Sequence, residues 1–318
     1  MDTAIDSGRG GGNAAAGRSS TSGFTLIETL VALLVLLVIM AGVMGNMLQF
    51  SRTQSTVWNR SNMHSSVRAA TELLQQEVGQ AGRVALPGPV QMYTSVSPGL
   101  QTVTVSSTAG MFPGERLVVD AGESEETVVV MSVNSANAFT ASFLQAHNAS
   151  VWGPVPVSVR GGFASGIVPT TMTDGSTEWV LKLYGDINDD GNMVYVEYVC
   201  DAAGGNLYRN VMAFNASAKT APTAGQILLS NLLPNPGGAP CFTYEQKVVK
   251  GDTYVINVAI SLTTQTQQRD IVTRQFDTET KALLNVAPRN VFDAWQLASI
   301  GAGNRIQPMP PTVASLLH

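Results

Sequence analysis

The chain has 318 residues, 44% of them hydrophobic and only 13% charged, and its formal net charge is −5. Proteins that bind DNA or RNA neutralise phosphates with clustered Lys and Arg side chains, and this sequence contains no run of basic residues. The composition therefore predicts that the chain has no nucleic-acid partner. Few charges together with many Thr, Ser, Val, Asn and Gly residues are typical of a β-rich domain outside the cytoplasm.

A short motif separates a polar N-terminal segment from a long apolar run. Unlike a conventional secretory signal, whose apolar core precedes the cleavage site, this chain has its apolar run after the motif. A carboxylate at the start of such a run costs roughly 2.5–3.5 kcal/mol to insert into a membrane. Glu28 has no basic residue nearby in the sequence, so we predict that another molecule supplies its counter-charge. The motif reads Gly23-Phe24-Thr25-Leu26-Ile27-Glu28.

This motif resembles the class III signal of type IV prepilins and type II secretion pseudopilins. In that family a membrane peptidase cleaves after the glycine and methylates the new terminal residue. The resemblance implies cleavage between Gly23 and Phe24, N-methylation of Phe24, and pairing of Glu28 with the terminal amine of a neighbouring subunit. The alternative interpretation is an ordinary signal anchor in which the glutamate is a coincidence.

The apolar run after Thr25 is long enough, at about 23 residues, to span a bilayer as a helix. The helix is predicted to continue past Phe50, because apolar residues recur there at three- and four-residue spacing. Gly82 and the Pro-rich segment after it end the pattern. We therefore predict a helix of roughly 55–60 residues, about 85 Å long, whose second half packs on a globular head. The residues of the predicted buried face are Val67, Ala70, Leu74, Val78 and Ala81.

Short Val- and Thr-rich segments separated by Gly, Pro, Asn and Asp follow the helix and predict β-strands joined by turns. The four or five segments between residues 101 and 159 suit a small closed barrel. In the minor pilins that this chain resembles, the helix leads sooner into the head. We therefore interpret this section as an inserted β-module.

The section from residue 178 to about residue 290 resembles the heads of PilW-type minor pilins and GspJ-type pseudopilins, although more loosely than the N-terminal motif resembles its family. The order of its strand-like segments carries the resemblance. After it, Pro308, Pro310 and Pro311 predict an irregular tail. The strand-like segments are 194–198, 206–209, 227–229, 242–244 and 255–262.

The predicted fold class is therefore α+β, with a long N-terminal hydrophobic helix packed on a β-rich head that carries an inserted, small β-barrel-like module. In chain order, the predicted parts are a cytoplasmic leader peptide (1–23), a transmembrane pilin helix (24–86), the inserted β-module (87–165), a PilW-like β head (166–290) and a C-terminal tail (291–318).

The two cysteines, Cys200 and Cys241, both fall in the section predicted to be exported. An even pair in an oxidising compartment favours a disulfide. Such a bond would close a loop of about 40 residues and would contribute about 4 kcal/mol in the chain-entropy model. The alternative is two separate buried thiols.

The segment 186–197 has the residue spacing of an EF-hand calcium loop. Asp186, Asn188 and Asp190 would supply oxygens, Asn192 its backbone carbonyl, and Glu197 would complete the shell. The flanking segments are strand-like, whereas an EF-hand needs helices on both sides. The alternative is a hairpin turn, because Asp, Asn and Gly are favoured in turns. The chain is therefore predicted to require no cofactor, with Ca²⁺ as one open interpretation of this loop.

The sequence contains no recognisable catalytic motif. The three histidines, His64, His147 and His318, do not occur in metal-binding or nucleophile-activating spacing. Carboxylate pairs carry out glycoside hydrolysis in other enzymes, but the acids at 123, 125 and 126 are more simply a solvated turn. We predict that the chain is not an enzyme.

The predicted function is that of a minor type IV pilin, a structural subunit that helps initiate or cap pilus assembly. The resemblance implies four partners: prepilin peptidase, other major and minor pilins, the inner-membrane assembly platform, and membrane lipid before assembly. It also implies a single-pass protein of the bacterial inner membrane, with its head in the periplasm, that moves into a pilus or pseudopilus. One alternative is a minor pseudopilin of a type II secretion system. Another is a pilus-tip adhesin with a ligand-binding β-module, in which Trp152 lies either on the binding surface or in the core.

Overall fold

The computed structural model describes residues 23–271 and 273–318. Nearly all of the predicted leader, residues 1–22, lies outside the described residues. The chain divides into two compact units, Met1–Ser55 and Thr56–His318. The predicted α+β architecture is confirmed, since one long helix is followed by a head built mostly of strands.

The helices in the described part of the chain are α1 (Leu26–Gln80), α2 (Arg289–Ser299) and α3 (Pro311–Leu316). The strands are β1 (Val90–Met92), β2 (Gly99–Thr104), β3 (Arg116–Val119), β4 (Glu126–Ser135), β5 (Ala138–Phe143), β6 (Val155–Val159), β7 (Gly162–Phe163), β8 (Val180–Gly185), β9 (Val194–Asp201), β10 (Asn206–Ala213), β11 (Ile227–Ser230), β12 (Leu232–Leu233), β13 (Phe242–Val249), β14 (Asp252–Gln265), β15 (Thr278–Val286) and β16 (Ile306–Gln307).

Helix α1 is 55 residues long, which at 1.5 Å per residue is about 83 Å. It ends at Gln80, close to the predicted stop at Gly82. Gly82 has a φ of +82°, and a Cβ atom there would lie 2.8 Å from the Val291 side chain. Glycine is therefore required at this turn both for its backbone conformation and for the close approach of α2.

The first six strands form an antiparallel sheet in the order β1-β6-β3-β4-β5-β2. Its two edge strands also meet: Met92 and Val105 form an antiparallel bridge, and the Tyr93 N–H donates to the Thr104 carbonyl at 2.9 Å. The sheet therefore closes into a small barrel. It begins at Val90, earlier in the chain than the strands predicted from the sequence. The barrel has its own apolar core, which includes Val103, Leu117, Val130, Phe139 and Phe143.

Two four-stranded antiparallel sheets make up the rest of the head. One has the order β11-β10-β9-β8, and in the other the long strand β14 pairs with β12, β13 and β15. The apolar face of the second half of α1 packs against both sheets in one core. All the helix residues predicted for this face are buried, namely Val67, Ala70, Leu74, Val78 and Ala81.

The prediction of an irregular C-terminal tail was wrong. Residues from 289 onward form α2, a parallel pairing of β16 with β7, and α3, and Val291, Val313 and Leu316 are buried. Pro311 does not prevent the last helix, because it occupies the first helical turn, where a missing N–H breaks no hydrogen bond.

Candidate functional site

The N-terminal motif lies where α1 begins. Thr25 immediately precedes the first helical residue, Leu26, and its Oγ1 accepts a hydrogen bond from the Glu28 backbone N–H at 3.3 Å. A hydroxyl residue followed three positions later by glutamate is the sequence of a capping box, which satisfies N–H groups that lack partners in the first turn. The helix thus begins with only Phe24 and Thr25 between it and the predicted cleavage point.

The groups at this end of the helix are accessible. Phe24 is 81% exposed, and Gly23 and Glu28 are exposed as well. No Lys, Arg or His side chain of residues 23–271 or 273–318 forms an ion pair with Glu28. The helix dipole favours an acid in the first turn by about 0.3–1 kcal/mol, which is less than the cost of placing a carboxylate in a membrane. The Glu28 carboxylate therefore has room for a cationic partner from another molecule.

The part of α1 that follows Glu28 is an apolar surface without a covering layer. Residues 29–51 include no charged side chain, and the large apolar side chains among them are all more than half exposed. Of the helices the structure describes, α1 alone has the length and composition to cross a membrane. Such a surface is stable in lipid or among neighbouring helices and unstable in water.

Comparison with protein families adds one finding at this site. Residues 18–44 match the family model described as the prokaryotic N-terminal methylation motif. The chain carries a prepilin-type methylation motif. The match supports a type IV pilin-like or pseudopilin-like subunit, implies processing by prepilin peptidase and assembly with other pilins, and fits anchoring in a membrane. The comparisons with curated proteins and with solved structures found no match.

A second glutamate of α1, Glu77, is in the opposite situation. Its carboxylate is buried and forms an ion pair with Arg209 on β10, whose Nε lies 3.0 Å from Oε1. The Tyr198 hydroxyl on β9 also donates a hydrogen bond to Glu77 Oε2, at a distance of 2.5 Å. Burial and the adjacent carboxylate raise the pKa of Tyr198, which stays protonated as a donor. This network fastens the second half of α1 to the first of the two head sheets.

The predicted disulfide between Cys200 and Cys241 is confirmed. Cys200 lies on β9, and Cys241 immediately precedes β13, so the bond joins the two four-stranded sheets. Both half-cystines are buried in the core that also contains the face of α1. The bond therefore holds together the two surfaces on which the helix packs.

The loop predicted as a calcium site joins the antiparallel strands β8 and β9, as the hairpin-turn interpretation expects. Asp186 Oδ1 accepts the Asp190 backbone N–H at 3.1 Å, and Asp190 Oδ1 accepts the Asn192 backbone N–H at 2.8 Å. The Arg83 guanidinium lies 3.5 Å from Asp186 Oδ2 and is also paired with Asp189. A cationic side chain thus already pairs with two of the three acids of this loop.

Of the other predicted calcium ligands, Glu197 is paired with groups outside the loop. Asn188 is exposed at the turn. Glu197 lies along β9, where its Oε1 is 2.7 Å from Lys219 Nζ and accepts the Tyr195 hydroxyl at 2.6 Å. The described residues contain no group of three or more His, Cys, Asp or Glu side chains that could hold a metal ion. Calcium binding by this loop stays a prediction.

Glu197, Lys219 and Lys182 form a cluster that also contacts the C-terminal segment at Leu317. Lys182 Nζ lies 3.7 Å from Glu197 Oε1 and donates to the carbonyl of Leu317 at 2.8 Å. Burial, and next the nearby Lys219 cation, lower the pKa of Lys182. No sequence pattern indicated this cluster, because its members lie far apart in the chain.

Two buried titratable side chains in the barrel, Glu115 and His147, were also missed as sites. Glu115 is fully buried, and burial raises its pKa to about 8; its Oε2 accepts the Phe112 N–H at 3.3 Å, while Oε1 has no hydrogen-bond partner among the described residues. His147 is buried between Asp120 and Glu126, with Nδ1 2.9 Å from one carboxylate and Nε2 2.7 Å from the other. Burial acts to lower the pKa of His147, but these two hydrogen bonds outweigh it and raise the pKa.

Proposed function

We propose that this chain is a minor type IV pilin, a non-enzymatic structural subunit that helps to initiate or cap pilus assembly. One observation carries the proposal: a methylation motif begins an exposed apolar helix whose acid, Glu28, has no ion-pair partner in the described chain. A large head with a closed barrel, as well as the loose resemblance of residues 178–290 to PilW-type heads, favours a minor subunit over a major one.

The proposed mechanism has three steps. Prepilin peptidase cleaves after Gly23 and methylates the new terminus at Phe24. The apolar part of α1 then leaves the bilayer and packs among the helices of other major and minor pilins. The Glu28 carboxylate pairs with the terminal amine of a neighbouring subunit, which supplies the counter-charge. Burying this pair among helices removes the cost of an unpaired carboxylate in an apolar environment.

The proposal places the protein in the bacterial inner membrane as a single-pass protein, with the head in the periplasm before assembly and in a pilus afterwards. It needs lipid before assembly and the inner-membrane assembly platform during assembly. The Cys200–Cys241 disulfide supports an oxidising location for the head, because disulfides persist outside the reducing cytosol.

The test is mass spectrometry of filaments sheared from cells, alongside the washed envelope, with a search for the peptide that begins at Phe24. A methylated Phe24 peptide in the sheared fraction is the expected result. The same peptide confined to the envelope would instead favour a pseudopilin of a type II secretion system. An uncut chain in both fractions would overturn the proposal. Gly23→Val serves as the control variant, because a bulky residue before the cleavage point should block maturation.

A further inference from the structure

The two ends of the barrel differ in what they contact. At one end the chain enters β1 and leaves β6, and the buried Gln307 side chain accepts the Arg116 N–H at 2.9 Å and donates to the Arg160 carbonyl at 3.0 Å. Phe112 and Phe163 also pack there, with ring centroids 5.9 Å apart. This end is therefore attached to the C-terminal segment of the head.

The opposite end, which we call the free end, consists of three connections: residues 93–98, 120–125 and 144–154. The strand register places them together, since Val119 pairs with Glu126, Gly99 with Phe143, and Met92 with Val155. Large apolar side chains are unusually exposed on or beside these connections. They are Leu100 (66% exposed), Leu144 (79%), Val151 (73%) and Trp152 (97%).

Trp152 is presented by a tight turn and is not part of the core, which resolves the alternative left open by the sequence. The backbones of Ser150 and Gly153 hydrogen-bond to each other in both directions, at 3.0 and 3.3 Å, so Val151 and Trp152 form a two-residue tip. The Ser150 hydroxyl accepts a further hydrogen bond from the Gly153 N–H at 3.0 Å. Because the turn already fixes this backbone, a partner that contacts the exposed indole of Trp152 would bind with a small loss of conformational entropy.

The connection that carries this tip is held from beneath by buried polar contacts. His147 bridges Asp120 and Glu126, and the second Glu126 oxygen accepts the Leu144 backbone N–H at 2.8 Å. His147 also pairs through its backbone with Val96 in the first connection, which ties all three connections together. The position of the tip is therefore fixed by the barrel and does not depend on a partner.

The charges of the free end have one dominant sign. The three connections contain no Lys or Arg, and their acids are Asp120, Glu123 and Glu125, with Glu126 adjoining them. Arg160 neutralises Glu125 at 2.6 Å, and His147 lies between Asp120 and Glu126. Glu123 is exposed and forms no ion pair among the described residues. The acids outnumber the cations, which disfavours anionic lipid and phosphate-bearing ligands and favours a basic partner.

We propose that the free end of the barrel is a docking surface for another protein, which presents an apolar pocket bordered by Lys or Arg side chains. Trp152 fills the pocket, since tryptophan is enriched among the residues that dominate interface energies. Leu144 and Val151 widen the apolar contact, and Glu123 meets the basic border. This inference does not depend on the assembly role proposed for α1.

The experiment places the photo-crosslinking residue benzoylphenylalanine at position 152 of the full chain, in the cells that make it. The matched control carries it at Val248, which is 68% exposed on β13, a strand that is not part of the barrel. Light should give a protein adduct from position 152 at least tenfold more abundant than from position 248, joined to a peptide with apolar and basic residues. Retention of the disulfide shows that both variants are folded.

Charge is tested in the same cells by adding Glu123→Lys, with Glu178→Lys as a matched exposed glutamate outside the barrel. Glu123→Lys should reduce the adduct several-fold and Glu178→Lys should not. The proposal is overturned if position 152 gives no protein adduct, gives lipid or glycan adducts, crosslinks to a second copy of this chain, or matches position 248. Equal effects of the two lysine variants would overturn the basic border.

Discussion

The beginning and the end of α1 each carry a glutamate, and the two differ in whether the chain itself supplies a partner. Glu77 is buried, paired with Arg209 and hydrogen-bonded to Tyr198. Glu28 is exposed and forms no ion pair among the described residues. The Glu77 charge contributes to the stability of the head, because removing Arg209 would leave a buried carboxylate unpaired.

The two halves of α1 differ in the same way as the two glutamates. The second half of α1 has its apolar face and its buried acid satisfied within the head. The first half has neither its apolar surface nor its acid satisfied by the described chain. Substitutions at the two glutamates should therefore have separate effects, one on unfolding of the head and the other on incorporation into a filament.

The largest effect is expected from Glu77→Ala, which should lower the free energy of unfolding of the head by about 3 kcal/mol. The variant leaves Arg209 without its anion and Tyr198 without its acceptor. Arg209 is partly exposed, so the loss lies at the lower end of the range for buried pairs. Denaturant unfolding followed by tryptophan fluorescence measures it.

Glu72→Ala is the matched control for this variant. Glu72 also pairs with an arginine, Arg68, at 2.7 Å, but both side chains are largely exposed. Surface pairs of this kind contribute below about 0.5 kcal/mol. Equal losses for the two variants would contradict the structural role assigned to Glu77.

Glu115 extends the comparison to an acid that is buried without a cation. Its pKa is raised from 4.5 to about 8 by burial, so the unfolded chain releases the proton first as pH rises. Stability is therefore lost between pH 4.5 and about 8, by about 2–3 kcal/mol after local relaxation. Unfolding measured across this window should show that loss in the wild type and a smaller one in Glu115→Gln. Parallel pH profiles for the wild type and Glu115→Gln would contradict the assignment of this loss to Glu115.

At the other end of α1, Glu28→Ala should reduce incorporation into sheared filaments about tenfold or more, equivalent to about 1.4 kcal/mol. Cleavage after Gly23 and the unfolding of the head should change little, because Glu28 is exposed and forms no ion pair among the described residues. Quantitative mass spectrometry of the Phe24 peptide in sheared and envelope fractions measures both steps. Glu28→Asp, which keeps the charge, should be intermediate, and full incorporation of the alanine variant would remove the electrostatic argument.

The smallest effect concerns His147, whose pKa is raised in the folded state. A raised histidine pKa contributes stability that is present below the ordinary value of 6.5 and is lost as pH rises through the folded value. The difference in unfolding free energy between wild type and His147→Gln should therefore be larger at about pH 6 than in the alkaline range. A difference that grows with pH would show that His147 is held neutral.

The features predicted well from the sequence are those fixed by local pattern. The length of α1 follows from uninterrupted apolar spacing, and its stop follows from Gly82. The disulfide follows from an even pair of cysteines in a segment expected to be exported. In each case a few neighbouring residues, or a simple count, contain the information.

The features missed depend on partners distant in the chain. The spacing of residues 186–197 did not indicate the ion pairs that Glu197 forms with Lys219 and Lys182. A small barrel was predicted, but the bridge between Met92 and Val105 through which it closes is not encoded in any local pattern. The proline-rich end is predicted to be irregular because proline lacks a backbone N–H. In the structure, Pro308 and Pro310 lie between β16 and α3, and Pro311 lies in the first turn of α3.

Because β16 lies far after β7 in the sequence, their parallel pairing can form only late in the synthesis of the chain. Gly162 and Phe163 pair early with Arg83 and Gly82, but their pairing with β16 forms only when Ile306 and Gln307 have emerged. Until then the backbone groups of Arg116 and Arg160 lack the amide that joins them, and Lys182 lacks the Leu317 carbonyl. These contacts form only after most of the head has been made, so a chain truncated before Ile306 would keep its membrane-length helix but expose part of its core to proteases.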